Sequence, residues 1–334
     1  MHKRCSIAAG TTVLLVLVAV LIIMFVQKYE GISMKQKPTN GTPFVVKTKS
    51  IELYTESFGK PANPAVLLIA GTMTSAHFWF DAFCQQIADA GYFVIRYDHR
   101  DTGLSSAIDY AKAPYVMADL VDDAVAILDA YHITKAHIVG ESMGGAIAQL
   151  MALDHADRVL SIAPISSMVL APAEFTDEEK AVQAKVFPVL MNNRPNQNYE
   201  ESRTRLLTAY DSFHGDIPVD KDIAEGYIKD MYTRTKPIYP ERLGAGVMHG
   251  HIVAHHSIVD RTKELAAVRV PVCFIHGEKD CLIPLRMVRQ DGANHYAQAT
   301  VHVVPGMGHM LLNRQLFEAV GKLLIAQFAL VRPA

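Results

Sequence analysis

The chain has 334 residues, half of them apolar and a fifth charged, with a formal net charge of −2. That composition describes a globular protein of one large domain or two and excludes a disordered chain. The nearly balanced charge offers no electrostatic basis for holding nucleic acid or another polyanion.

The first elements are expected in a membrane. A short tail, residues 1–5, carries His2, Lys3 and Arg4, and Ser6 to Val26 follows as an uncharged run rich in Val, Leu and Ile. A stretch of that length spans a bilayer as a helix. It lacks the short apolar core and the A-x-A-like site of a cleaved signal peptide, so residues 6–27 are expected to form an uncleaved, single-pass signal anchor in the lipid bilayer. Lys3 and Arg4 favour a cytoplasmic N-terminus, against Lys28, Lys35 and Lys37 on the other flank, and the following domain is expected outside the cytoplasm. Residues 28–43 read as a linker, with Asn40-Gly41-Thr42 either a glycosylation sequon or a plain turn.

Two alternating runs, Phe44 to Thr48 and Ile51 to Glu56, predict an antiparallel start to a sheet. Apolar strands and helices then alternate: a strand at Ala65 to Ala70, a helix at Trp79 to Ala90, a strand at Tyr92 to Tyr97 and a helix at Val116 to Tyr131. Another strand and helix fill 137 to 153, and a strand follows at Val159 to Pro164. The pattern resumes with strands at Val272 to His276 and Thr300 to Val304, and with helices at Leu285 to Ala293 and Leu312 to Val331. Continuous apolar strands separated by helices predict an α/β fold, a mostly parallel sheet with helices on both faces. Residues 171–261 interrupt it without a strand signal. Helical stretches at Thr176 to Val186, opened by a Thr176/Glu179 capping box, and at Ile223 to Tyr232 suggest an inserted helical cap. The core would then comprise residues 44–170 and 262–334, with the cap over the sheet edge where open α/β sheets bind substrates.

Gly140-Glu141-Ser142-Met143-Gly144-Gly145 lies between a strand and a helix and reads G-x-S-x-G. In that setting the pattern is a nucleophile elbow, with Gly140 and Gly144 clearing space for the crossing backbone. The alternative is a turn serine capping a helix. A serine hydroxyl needs a base, and the base a carboxylate to orient it. His309, in Pro305-Gly306-Met307-Gly308-His309, follows the last predicted strand and is the candidate base, whereas His137 and His302 look structural. Asp280 is the candidate acid, with Glu278 its rival in the same turn and helix capping its plainer role. An oxyanion hole needs two backbone amides: Met143 supplies one, and Thr72 or Met73 the other. The order Ser142, Asp280, His309 is that of an α/β-hydrolase triad.

Together with Arg96-Tyr97-Asp98-His99-Arg100-Asp101-Thr102-Gly103-Leu104-Ser105, these motifs resemble the α/β-hydrolase superfamily. From about residue 44 onward the chain looks most like the esterases related to aclacinomycin methylesterase. The resemblance implies a serine hydrolase that cleaves a small-molecule carboxylic ester through an acyl-enzyme, without metal or organic cofactor. The same scaffold also serves lipases, thioesterases, perhydrolases, C–C hydrolases and peptidases, and a non-catalytic ligand receptor is the reading outside catalysis. The membrane segment and the cap depart from the methylesterase pattern. The charges of the Arg96 to Ser105 loop are expected to pair and hold it beside the site. His249, His251, His255 and His256 could ligate a metal or simply be solvated, and Phe78 and Trp79 could line an acyl pocket or pack in the core. The four cysteines, Cys5, Cys84, Cys273 and Cys281, show no metal or disulfide spacing and are expected as free thiols. Nothing in the sequence sets the oligomeric state.

Overall fold

A computed structural model describes residues 41–172, 174–190, 199–235, 260–289 and 292–331. The tail at 1–5, the anchor at 6–27, most of the linker, Cys5, Asn40 and the four histidines between 249 and 256 lie outside them. Among the described residues no helix is long and apolar enough to cross a membrane.

Among the described residues, eight strands form one sheet in the order β1-β2-β4-β3-β5-β6-β7-β8. β1 (Thr42–Lys47) pairs antiparallel with β2 (Glu52–Phe58), and β2 pairs antiparallel with β4 (Phe93–Tyr97). β3 (Ala65–Ile69), β5 (Ala136–Glu141), β6 (Val159–Ile165), β7 (Val272–Gly277) and β8 (Ala299–Val304) complete a parallel run that β4 enters through β3. β3, β4, β5 and β7 are buried along their whole length, as helices on both faces require. β1 is the exposed edge and begins two residues earlier than its alternation suggests.

The helices of the core are α1 (Asp81–Asp89), α2 (Met117–Ala130) and α3 (Met143–Asp154). Between β6 and β7 the described residues include α4 (Asp177–Leu190), α5 (Tyr199–Asp211) and α6 (Lys221–Thr235). The short α7 (Thr262–Leu265) and α8 (Leu285–Arg289), then α9 (Arg314–Ala329), complete the chain. At the start of α4, Thr176 Oγ1 accepts from Glu179 N and Thr176 N donates to Glu179 Oε2, the expected capping box. α9 starts at Arg314 rather than Leu312 because Asn313 caps it, accepting from the amides of Gln315 and Leu316. Trp79 does not open α1. A single 3-10 turn at Ala76–Phe78 intervenes, and Trp79 is fully buried, stacked on Phe83 at 5.4 Å between ring centres. Sequence reading gave no element over Tyr199–Asp211, where α5 lies.

Because β3, β5, β7 and β8 run parallel, their carboxyl ends share one edge of the sheet. The connections leaving those ends carry Gly71, Ser142, Asp280 and His309.

Candidate active site

β5 lies near the middle of the sheet and ends at Glu141. Ser142 then adopts φ 50° and ψ −115° before α3 begins. A non-glycine residue held there costs about 1–3 kcal/mol. The surroundings hold it nonetheless: Ser142 N donates to Ile165 O at 2.9 Å, and Ser142 O accepts from Ser167 Oγ at 2.8 Å. Both elbow glycines are sterically required. A Cβ on Gly140 would collide with the Gly144 carbonyl, and one on Gly144 with the Ile69 and Ala70 carbonyls.

His309 lies in the loop after β8 and Asp280 in the turn after β7. His309 Nε2 is 3.2 Å from Ser142 Oγ, and Nδ1–H donates to Asp280 Oδ2 at 2.9 Å. All three positions expected from the sequence therefore converge, with Asp280 and His309 buried and Ser142 partly exposed. The two oxygens of Asp280 divide its tasks. Oδ2 faces the imidazole while Oδ1 accepts from the amides of Leu282 and Ile283, each at 2.9 Å. The contact with the imidazole and a turn role coexist, but the amides held lie ahead of α8, which begins at Leu285, so Asp280 does not cap it. Glu278, the rival, instead accepts from Gly306 N at 3.1 Å and is exposed.

Burial works against charge on His309, but the Asp280 carboxylate and its hydrogen bond, and then Glu141, outweigh it and raise the imidazole to about 9. Burial would push Asp280 up; the His309 charge and hydrogen bond prevail and hold it below its ordinary value.

The loop after β3 makes a turn at Gly71 to Thr74, closed by Thr74 Oγ1 donating to Gly71 O at 2.8 Å, with Met73 at φ 59°. His99 Nε2–H donates to Ala70 O at 2.9 Å, and burial lowers its pKa to about 4, so it is neutral. The Arg96 to Ser105 charges do pair, yet their partners come from other elements. Arg96 binds Glu56 and Asp81, Arg100 binds Asp123, and Asp98 binds Arg234.

The segment between β6 and β7 reaches this edge through further contacts. Tyr227 Oη accepts from Ser75 N at 3.1 Å, just beyond the Gly71 turn. Between α5 and α6, Phe213 O accepts from His309 N at 2.7 Å and His214 O from Gly308 N at 2.8 Å, while Asp216 N donates to Gly306 O at 2.8 Å. A Cβ on Gly308 would strike the Phe213 carbonyl.

Sequence reasoning missed Glu141 and His276. Glu141 is buried with Oε1 3.6 Å from His309 Nε2, and His276 Nε2 lies 3.5 Å from Asp280 Oδ2. Glu141 stands inside the elbow motif, but alternation cannot tell which way its side chain turns. Phe78 and Trp79 are core residues, fully buried, with Phe78 edge-on to Tyr227 and Phe317. His137 is buried against Ser161 and Phe328, and His302 is exposed on β8. Cys84, Cys273 and Cys281 are free thiols. Among the described residues, no three His, Cys, Asp or Glu side chains are grouped to hold a metal ion.

Residues 64–312 match the family model described as alpha/beta hydrolase fold. Rhodomycin D methylesterase of Streptomyces sp. (strain C5) is 33% identical over 285 residues, covering 80% of this chain and 92% of that protein. The rhodomycin D methylesterase of Streptomyces peucetius shows the same identity and coverage. Among solved structures, a carboxylesterase of the thaumarchaeon Nitrososphaera superposes with a TM-score of 0.66 at 20% identity, over 86% of this chain and 98% of its own. A bacterial membrane phospholipase A superposes with a TM-score of 0.70 at 20% identity, over 98% and 99%. At such identities these two likenesses concern the fold.

Proposed function

Since this chain belongs to the α/β-hydrolase fold family and is an ester hydrolase, we propose that it cleaves a small-molecule carboxylic ester through an acyl-enzyme on Ser142. The observation that carries this reading is the line of contacts from Ser142 Oγ through His309 to Asp280, 3.2 Å and 2.9 Å. His309 takes the hydroxyl proton as Ser142 attacks the carbonyl, while Asp280 keeps Nδ1 protonated and Nε2 free to accept. The amides of Thr72 and Met143 hold the oxyanion. Alcohol leaves with the proton from Nε2, and water activated by the same histidine releases the acid. No step calls for a metal or an organic cofactor.

Residues 171–261 act as a cap that shapes the substrate pocket. The methylesterase relatives, which act on rhodomycin D by name, put small alcohol leaving groups first among the esters to try. The uncharged run at 6–27 supports a tether to the bilayer, with the catalytic domain on the extracytoplasmic face. Protease protection in sealed membranes tests that orientation.

Fluorophosphonate labelling and p-nitrophenyl ester turnover, wild type beside Ser142→Ala, test the chemistry. Labelling and turnover that vanish in the variant are expected; turnover that survives unchanged sinks the assignment.

A further inference from the structure

The side chain of Glu141 has no task in the chemistry just described. It is 3% exposed, and its Oε1 lies 3.6 Å from His309 Nε2. Asp280 holds the opposite nitrogen of the same ring. Oε2 occupies the space where a Cβ at residue 71 would stand, so Gly71 leaves room for the carboxyl. A carboxyl in so dry a site is costly unless a partner stabilises it.

We propose that Glu141 is a positioning residue for His309, holding from the serine side of the ring the imidazolium that forms when Nε2 takes the Ser142 proton. The proposal rests on the reading of Ser142 and His309 as nucleophile and base. An imidazolium formed in a buried pocket is stabilised by opposite charge nearby, and Asp280 supplies that only at Nδ1. Glu141 supplies it at the nitrogen that carries the travelling proton. That proton goes from Ser142 Oγ to Nε2 and on to the leaving alcohol, so Glu141 gains and loses none on balance.

Among the described residues, few titratable groups surround the pair. Asp280 comes from the turn after β7, His276 from the end of β7 and Tyr210 from α5, the last within electrostatic reach of Glu141. Burial keeps His276 below its ordinary value and Tyr210 well above it, so both stay neutral. Burial also pushes Glu141 up to about 7; the His309 charge pulls against this and Asp280 adds to it. Glu141 therefore responds to the charge on the imidazole around neutral pH.

The test is the pH dependence of kcat and KM for a p-nitrophenyl ester, on the full chain, wild type beside Glu141→Gln. A carboxylate beside an imidazole raises its pKa, so removing it lets the base deprotonate at lower pH. The acid limb of kcat/KM should move down by about one unit, with kcat falling while KM stays near its wild-type value. Gly71→Ala, which displaces the carboxyl without removing it, should move the limb the same way. An acid limb that stays in place in Glu141→Gln overturns the proposal. If that variant does not fold, Glu141→Asp carries the test: the withdrawn carboxylate should give a smaller downward shift, and an unmoved limb overturns the proposal equally. A wild type that neither labels with fluorophosphonate nor turns over ester refutes the reading beneath and this inference with it.

Discussion

Arg234 on α6 donates to Asp98 through Nη2 at 2.6 Å and Nη1 at 3.4 Å, joining an inserted helix to the loop that follows β4. Asp98 is fully buried and also accepts from the amides of Ala76 and Leu104. Removing one member of a buried pair leaves the other charge uncompensated, which is costly. Arg234→Met should therefore lower unfolding free energy by about 3 kcal/mol. Urea denaturation followed by tryptophan fluorescence would show it, and an unchanged midpoint would refute it.

A second connection between the same parts depends on pH. His77 Nδ1 lies 2.8 Å from Asp230 of α6, and Nε2 lies 3.1 Å from Glu56 of β2. Burial opposes charge on this ring, but the hydrogen bonds to Asp230 and Glu56 prevail and raise its pKa above 6.5. Because the folded value exceeds the unfolded one, the stabilisation is complete below about pH 6.5 and fades as pH climbs through the raised value. Wild type should accordingly melt above His77→Gln at low pH, with the gap closing as pH rises through the raised value. Melting curves at matched ionic strength would read the gap, and one that widened with pH would contradict the assignment.

Asp280→Asn should reduce kcat by about 10⁴-fold with little loss of stability. The amides of Leu282 and Ile283 would hold the Asn oxygen where they now hold Oδ1. Its NH₂ would then face His309 Nδ1, forcing the proton onto Nε2 and leaving Ser142 without an acceptor. Pre-steady-state acylation is the measurement. A near-normal burst in the variant would show that Asp280 does not set the tautomer.

Gly144→Ala should destabilise by about 3 kcal/mol or more, since its Cβ meets two backbone carbonyls at the end of β3 and neither can yield cheaply. Soluble yield and the urea midpoint should both drop.

Much of this architecture is written locally in the chain. The alternation of apolar strands with helices, the elbow glycines, and the short loops around Asp280 and His309 are patterns within a few residues, and sequence reading finds such patterns. Asp98 and Arg234 are 136 positions apart, and neither has a neighbour that announces the other. α5 was missed for a related reason: it buries only Ser202, Ala209 and Tyr210, too narrow a face for a helical period to stand out. Glu141 was overlooked because burial of a carboxylate is a property of the assembled site, and its partner His309 comes from the far end of the chain.

The contact between the α5–α6 connection and the His309 loop has a consequence for how such an enzyme changes what it accepts. Phe213, His214 and Asp216 hold the backbone at His309 and just before it, so the α5–α6 connection and the histidine loop are parts of one hydrogen-bonded unit. Remodelling that stretch to admit a bulkier ester would disturb the base in the same stroke. Variation that spares turnover has freer ground on the outer face of α5, and substrate range in diverging copies should drift there first.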